Sequence, residues 1–252
     1  RENLMKNFLV PVIVGAATAG VLIALGVREV YPVLSYAFCA FVTATVFTEF
    51  FRGVAVRSGR GENPALAFVR LVSRNKRRYG GYIVHIGVVL IVIGITSSSV
   101  FVTEKQATLT KGQSLELAGY TLTFQGIEQY TTDAKNATVA KLEGYKNGKP
   151  IGPVSPEKNV YKYEGNREIN QETEVALRST FTDDLYVILM SYGEDGAATI
   201  RVMVNPMVSW IWSGGVVLLI GAIVTMWPGG RKEREEVFVR YTLHDRDRTA
   251  KV

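Results

Sequence analysis

Few side chains in this 252-residue chain can do chemistry: two histidines, His85 and His244, and one cysteine, Cys39. His85 lies inside KRRYGGYIVHIGVVLIVIGI, the run from Lys76 to Ile95, most of which a hydrocarbon core would accept. An ionisable ring in such a run is expensive and marks a position with work to do. Three roles compete for it. A neutral imidazole can hydrogen-bond across a helix bundle, pass protons, or ligate a metal through one nitrogen while an acceptor holds the other. At helical spacing, Gly81, His85, Val88, Val92 and Ile95 share one face. Such an apolar wall, with Gly81 leaving room, suits a flat macrocycle, so haem is the metal cofactor that fits the third role.

His244 falls in the charged stretch YTLHDRDRT and reads as a surface residue. The topology argued below separates it from His85, so one chain cannot supply two axial imidazoles, and a second ligand comes from elsewhere. Cys39 sits in an apolar run and reads as a small hydrophobe. There is no CxxC pair, no CxxCH haem-attachment motif and no basis for a disulfide framework.

The elements that must position His85 follow from hydropathy. Four apolar runs of about 20 residues each are long enough to cross a membrane: Phe8 to Val27, Pro32 to Phe51, Gly81 to Val100 and Pro206 to Trp227. Between the second and third, residues 52–80 hold eight basic side chains against Glu62 alone. By the positive-inside rule this loop is cytoplasmic, which places both termini inside and residues 101–205 outside. The net charge of +6 is therefore a topology signal rather than a polyanion site, and no nucleic-acid partner is expected. Trp210 and Trp212 stand about 26 Å from Trp227 along a helix, as interfacial anchors at both surfaces would. Small residues four apart (Gly15/Ala19, Ala16/Gly20, Gly20/Ala24), and Gly87 and Gly94 a heptad apart, would let helices approach closely. Asn63 and Pro64 open a short interfacial helix as N-cap and first residue. No signal peptide is read, and the absence of an initiating Met suggests a piece of something longer. No span shows the paired charges of a transporter path.

The predicted organisation is thus two transmembrane helices in 1–51, a basic cytoplasmic loop in 52–80, a helix carrying His85 in 81–100, a periplasmic β domain in 101–205, a last span in 206–227 and a cytoplasmic tail in 228–252. The external block alternates apolar and polar residues in YTLTFQGI and places Asn147-Gly148 at a hairpin turn. TEVALRST, DLYVILMSY and ATIRVMV read as further strands, whereas EGNREINQETE reads as a solvated loop. An all-β barrel or sandwich disposes of the strand edges. With no His, no Cys and scattered carboxylates, this block reads as a binding or docking module.

SRNKRRYGGYIVHIGVVLIVIGI, the opening REN followed by Lys6-Asn7, the external PEKNVY and TEVALRST…DLYV, and the closing NPMVSWIWSGG together resemble the carboxy-terminal part of the CcmF/NrfE family, haem lyase core subunits of cytochrome c maturation and their relatives in nitrite-reductase assembly. The resemblance implies a multi-pass protein of the bacterial inner membrane that binds haem b and assists covalent attachment of haem to apocytochrome c. In the family pattern RRYGGYxxHxG the histidine is an axial ligand of a transmembrane haem b, which carries over to His85. The implied partners are an upstream remainder or separate subunit supplying the second ligand, a haem chaperone, apocytochrome c and other maturation subunits. The family's tryptophan-rich segment and external histidines are absent here, and Asn159 stands where Arg tends to follow PEK. The piece is accordingly expected to be a fragment or subunit of a holocytochrome c synthase-type lyase, inactive alone. The cationic flank Arg74, Lys76, Arg77 and Arg78 either faces haem propionates or only fixes orientation. The alternative reading is a non-catalytic membrane-anchored docking module in which His85 makes a structural hydrogen bond.

Overall fold

In the computed structural model, which describes residues 2–59, 61–163 and 167–228, the apolar runs become helices and the block between them becomes two facing sheets. The helices are α1 (Glu2–Ala24), α2 (Val30–Ser58), α3 (Pro64–Arg74), α4 (Lys76–Val100) and, after the sheets, α5 (Val208–Met226). α2, α4 and α5 are each long and apolar enough to cross a membrane, whereas the apolar part of α1, Phe8–Ala24, is shorter. α2 runs seven residues past Phe51 to Ser58, so part of the basic loop is helical. α3 begins at Pro64, with the Asn63 side chain accepting from the Ala65 N–H at 2.9 Å. His244 and the tail from 229 onward lie outside the described residues.

Glycine decides how the helices meet. α4 and α5 run antiparallel, and Gly80, Gly87 and Gly94 of α4 face the backbone of α5 at three successive levels. A Cβ on Gly87 would lie 2.6 Å from the Leu218 nitrogen, and one on Gly94 would lie 2.7 Å from Ile211 Cγ1. From the other side, Gly214 and Gly221 press on Gly87 and Val84, each leaving only 2.6 Å for a methyl group. The repeat of seven advances about 10.5 Å per level, which keeps one seam of small residues between two otherwise apolar helices. α1 packs on α2 through Gly15, whose added Cβ would meet the Ala37 carbonyl at 3.0 Å, while Gly20 has open space around it. Of the two glycines in the first-span spacings, only Gly15 is used in this way.

The α2–α4 contact is polar near the sheets and ionic at the far end. Ser35 bonds Thr96 at 2.7 Å and Tyr36 bonds Ser97 at 2.6 Å. At the other end Arg78 pairs with Glu49 and donates to the Tyr82 hydroxyl at 3.0 Å. Glu49, two residues before the end of the second apolar run, is thus neutralised by Arg78 of the basic loop, in the first turn of α4.

The sheets are built from ten strands: β1 (Thr103–Leu109), β2 (Ser114–Leu117), β3 (Tyr120–Thr131), β4 (Lys135–Lys146), β5 (Lys149–Val154), β6 (Glu157–Tyr163), β7 (Arg167–Glu174), β8 (Ala176–Ser179), β9 (Asp183–Tyr192) and β10 (Ala198–Pro206). One sheet has the order β1-β10-β9-β8; the other runs β2-β3-β4-β6-β7, with β5 also pairing β4. Tyr120, Leu122 and Phe124 of β3 are essentially fully buried and meet Leu185, Val187, Leu189, Ile200 and Val202 from the opposite sheet. The alternation read from YTLTFQGI is thus the inner face of a sandwich. Two expectations change. EGNREINQETE is not a solvated loop, because Arg167–Glu174 forms β7 at the sheet edge; charged residues suit an edge strand, where they deter pairing with other chains. TEVALRST is not one strand either, since β7 and β8 lie in different sheets and Val175 is the crossing point.

The sandwich is tied to the helices by a short joint. Met207 takes a left-handed backbone conformation (φ 60°) between β10 and α5. Its N–H donates to the Thr182 carbonyl at 2.8 Å, and the Ser209 hydroxyl donates to the Thr180 carbonyl at 2.6 Å. Phe181 in the same loop stacks near Trp210, with ring centroids 5.7 Å apart. Trp210 is therefore turned toward the sandwich, while Trp212 and Trp227 stay exposed.

Candidate functional site

His85 lies three turns into α4, beyond an aromatic clamp that fixes the start of the helix. Phe50 of α2 sits 5.1 Å from the Tyr79 ring and 5.9 Å from that of Tyr82, and Phe68 of α3 closes on it at 5.4 Å. With Tyr79 and Tyr82 turned to α2 and the glycine seam turned to α5, helical geometry leaves the third side of α4 uncovered. That side carries Gly81, His85, Val88, Val92 and Ile95. His85, Val88 and Ile95 are all exposed on it, and a Cβ on Gly81 would meet nothing within 4 Å.

The ring is oriented from within its own helix. His85 Nδ1 lies 2.7 Å from the Gly81 carbonyl oxygen, an acceptor only, so Nδ1 carries the proton and donates. Nε2 then keeps its lone pair, and among the described residues it has no hydrogen-bond partner. This is the arrangement in which a neutral imidazole is ready to ligate, its tautomer set by the bond its other nitrogen makes. The donor set fits haem: one basic nitrogen in an open apolar wall with a glycine beside it. No group of three or more His, Cys, Asp or Glu side chains among the described residues would hold a bare metal ion. Cys39, buried against α4 with its sulfur 4.0 Å from the Val89 carbonyl, takes no part.

Glu49 and Tyr82, which sequence reasoning missed, hold Arg78 one turn before Gly81. The signal for Glu49 was available as an acid inside an apolar run facing a basic one. Of the cationic flank, Arg78 is engaged in this way and Lys76 Nζ reaches the Pro228 carbonyl at 3.2 Å. Asn159 is fully buried in β6, and neither polar atom of its side chain has a partner. It therefore offers no exposed contact where PEKNVY might suggest one.

A bundle with three helices long and apolar enough to cross a membrane, a β-sandwich hung from two of them and an imidazole on an open apolar face define a membrane type of protein. Residues 100–206 match the family model described as the CcmF C-terminal beta-sandwich. The cytochrome c-type biogenesis protein CcmF of Pseudomonas fluorescens is 34% identical over 146 residues, which is 58% of this chain and 22% of that protein. CcmF of Escherichia coli K12 is 26% identical over 71% of this chain and 26% of its own length, and the probable NrfE of that organism is 26% identical over 86% and 38%. A solved structure named Cytochrome c Heme Lyase CcmF shares the fold, with a TM-score of 0.66 and 22% identity across 89% of this chain and 35% of that one. Residues 100–206 carry the CcmF C-terminal beta-sandwich, and the chain is similar over most of its length to CcmF and NrfE cytochrome c-type biogenesis proteins. It spans about a quarter of the length of the CcmF relatives.

Proposed function

We propose that this chain is the carboxy-terminal segment of a bacterial inner-membrane haem lyase, and that α4 presents His85 as one axial ligand of a haem b shared with the remainder of the protein or a separate subunit. The observation that carries the reading is the His85 Nδ1 to Gly81 bond, which leaves Nε2 as the ligating atom on a face that no helix among the described residues covers. In the same reading α1 crosses the membrane with the other three spans, the sandwich lies in the periplasm, and the two chain ends lie in the cytoplasm. Apocytochrome c, a haem chaperone and other maturation subunits are the partners this places within reach.

The residues divide the work. Gly81 accepts the Nδ1 proton bond and leaves room beside the ring. Val88, Val92 and Ile95 exclude water from the face. The clamp of Phe50, Tyr79 and Tyr82 and the glycine seam set the height and rotation of α4, and therefore of Nε2. A haem bound there would supply electrons that keep the substrate haem and the apocytochrome thiols in the state thioether formation needs. The alternative, a docking module in which His85 makes only a structural hydrogen bond, would leave the bond to Gly81 as the ring's whole role and Nε2 unused.

The test uses the protein together with its upstream portion. Wild type should show b-type Soret and α bands, and His85→Ala should lose them while remaining in the membrane at normal level. His85→Gly with added imidazole should recover part of the spectrum. An unchanged spectrum in His85→Ala would leave only the docking-module reading.

A further inference from the structure

At the end of the bundle opposite the sandwich, α2, α3 and α4 enclose a cleft of about 510 Å³. Arg52, Arg57, Arg74 and Arg78 line it against only two acids, Glu49 and Glu62. Glu49 is engaged by Arg78, and Glu62 is shared between Arg70 at 3.0 Å and Arg57 at 3.6 Å, which leaves the arginines in excess. Arg57 is the informative residue. Its side chain is only 19% exposed, its nearest carboxylate oxygen is 3.6 Å away, beyond hydrogen-bond reach, and it makes no hydrogen bond among the described residues. Arg74, on the facing helix, has none either. A guanidinium that faces a cleft with donors to spare gains from an anion that completes it, and its planar fork matches phosphate.

The surroundings select which phosphate. Val56 lines the cleft and is 62% exposed, and Phe51, Leu66 and Val69 lie exposed on the adjoining turns of α2 and α3. A soluble anion gains nothing from such a surface, whereas acyl chains do. The level also fits, since α2 leaves its apolar run at Phe51 and α4 enters its own at Gly81.

We infer that this cleft binds the phosphodiester headgroup of an anionic phospholipid, with Arg57 and Arg74 as its principal contacts and the acyl chains lying along Val56, Leu66 and Val69. The proposal is independent of His85, and its readout requires no haem.

The test purifies the protein with its upstream portion in phosphatidylcholine micelles doped with phosphatidylglycerol and measures retained lipid by mass spectrometry. Wild type should enrich phosphatidylglycerol over phosphatidylcholine. Arg57→Gln with Arg74→Gln should weaken that preference by roughly tenfold or more, and Arg74→Gln alone should weaken it measurably, whereas Arg77→Gln, which removes the same single charge outside the cleft, should not. Should the paired variant fail to fold, Arg74→Gln alone, at an exposed position, carries the same comparison. Equal retention of the two lipids, or an equal loss in Arg77→Gln, overturns the proposal. Displacement of the retained lipid by excess inorganic phosphate would also overturn it, assigning the cleft to a free anion.

Discussion

Asp183 shows how single residues hold the two sheets together. Its carboxylate accepts from Lys146 Nζ at 2.7 and 2.8 Å, from the Tyr120 hydroxyl at 2.7 Å and from the Thr180 hydroxyl at 2.8 Å, joining β3 and β4 to the loop before β9. Burial alone would raise its pKa, but the hydrogen bonds from Lys146, Tyr120 and Thr180 outweigh burial and hold it below the ordinary carboxylate value. A lowered carboxylate pKa gives stability that is complete above about pH 4 and lost as pH falls through the lowered value. Asp183→Asn should therefore cost roughly 1 to 3 kcal/mol near neutrality. It should also flatten the acid limb of a stability-against-pH curve followed by near-ultraviolet circular dichroism. Ala118 offers the opposite sign. It occupies a left-handed conformation (φ 49°) in the two-residue turn between β2 and β3, where an L side chain is strained by about 1 to 2 kcal/mol. Ala118→Gly should raise the thermal midpoint of the sandwich. The neighbouring Asn147-Gly148 turn was legible from its dipeptide; Ala118-Gly119 was not, because nothing in alanine itself announces a positive φ.

Among the elements, α4 is the one on which the proposed site depends, and its three sides make separate predictions. Gly87→Leu or Gly214→Val should force α4 from α5, since no methyl group fits at either position. Overpacking of this kind costs at least about 1 to 3 kcal/mol, and the thermal midpoint in detergent should fall accordingly. Gly20→Ala, facing open space, should be near neutral in the same assay. Gly81→Leu separates packing from cofactor binding: the helix seam should hold while b-type absorption falls, because only the open face is crowded. The heptad of Gly87 and Gly94 was visible in the sequence. Its extension to Gly80 and its mates Gly214 and Gly221 was not, because spacing within one helix does not say which helix it meets. The extension of α2 to Ser58 escaped for a related reason: hydropathy marks where lipid ends, and hydrogen bonding in a helix continues past that point.

For the molecule as a whole, alternation and hydropathy made the helices and the sandwich legible, since burial imposes a period on every long element. They could not show the strands that depend on tertiary placement. β7 looks like loop because an edge strand needs no inward period on both faces, and Val175 looks like strand interior although the chain changes sheets there. The His85 side chain was legible as an anomaly; its tautomer required the 2.7 Å approach of Gly81, which only the folded helix supplies. Finally, the joint at Met207 is pinned from both sides, by Thr182 on the sandwich and by the Ser97 hydroxyl of α4 on its sulfur at 3.2 Å. A push on the sandwich meets a joint held on both sides. It would act as a lever whose fulcrum is the first turn of α5, and a tilt of that helix would travel down the close-packed seam and displace the imidazole by sliding its whole span.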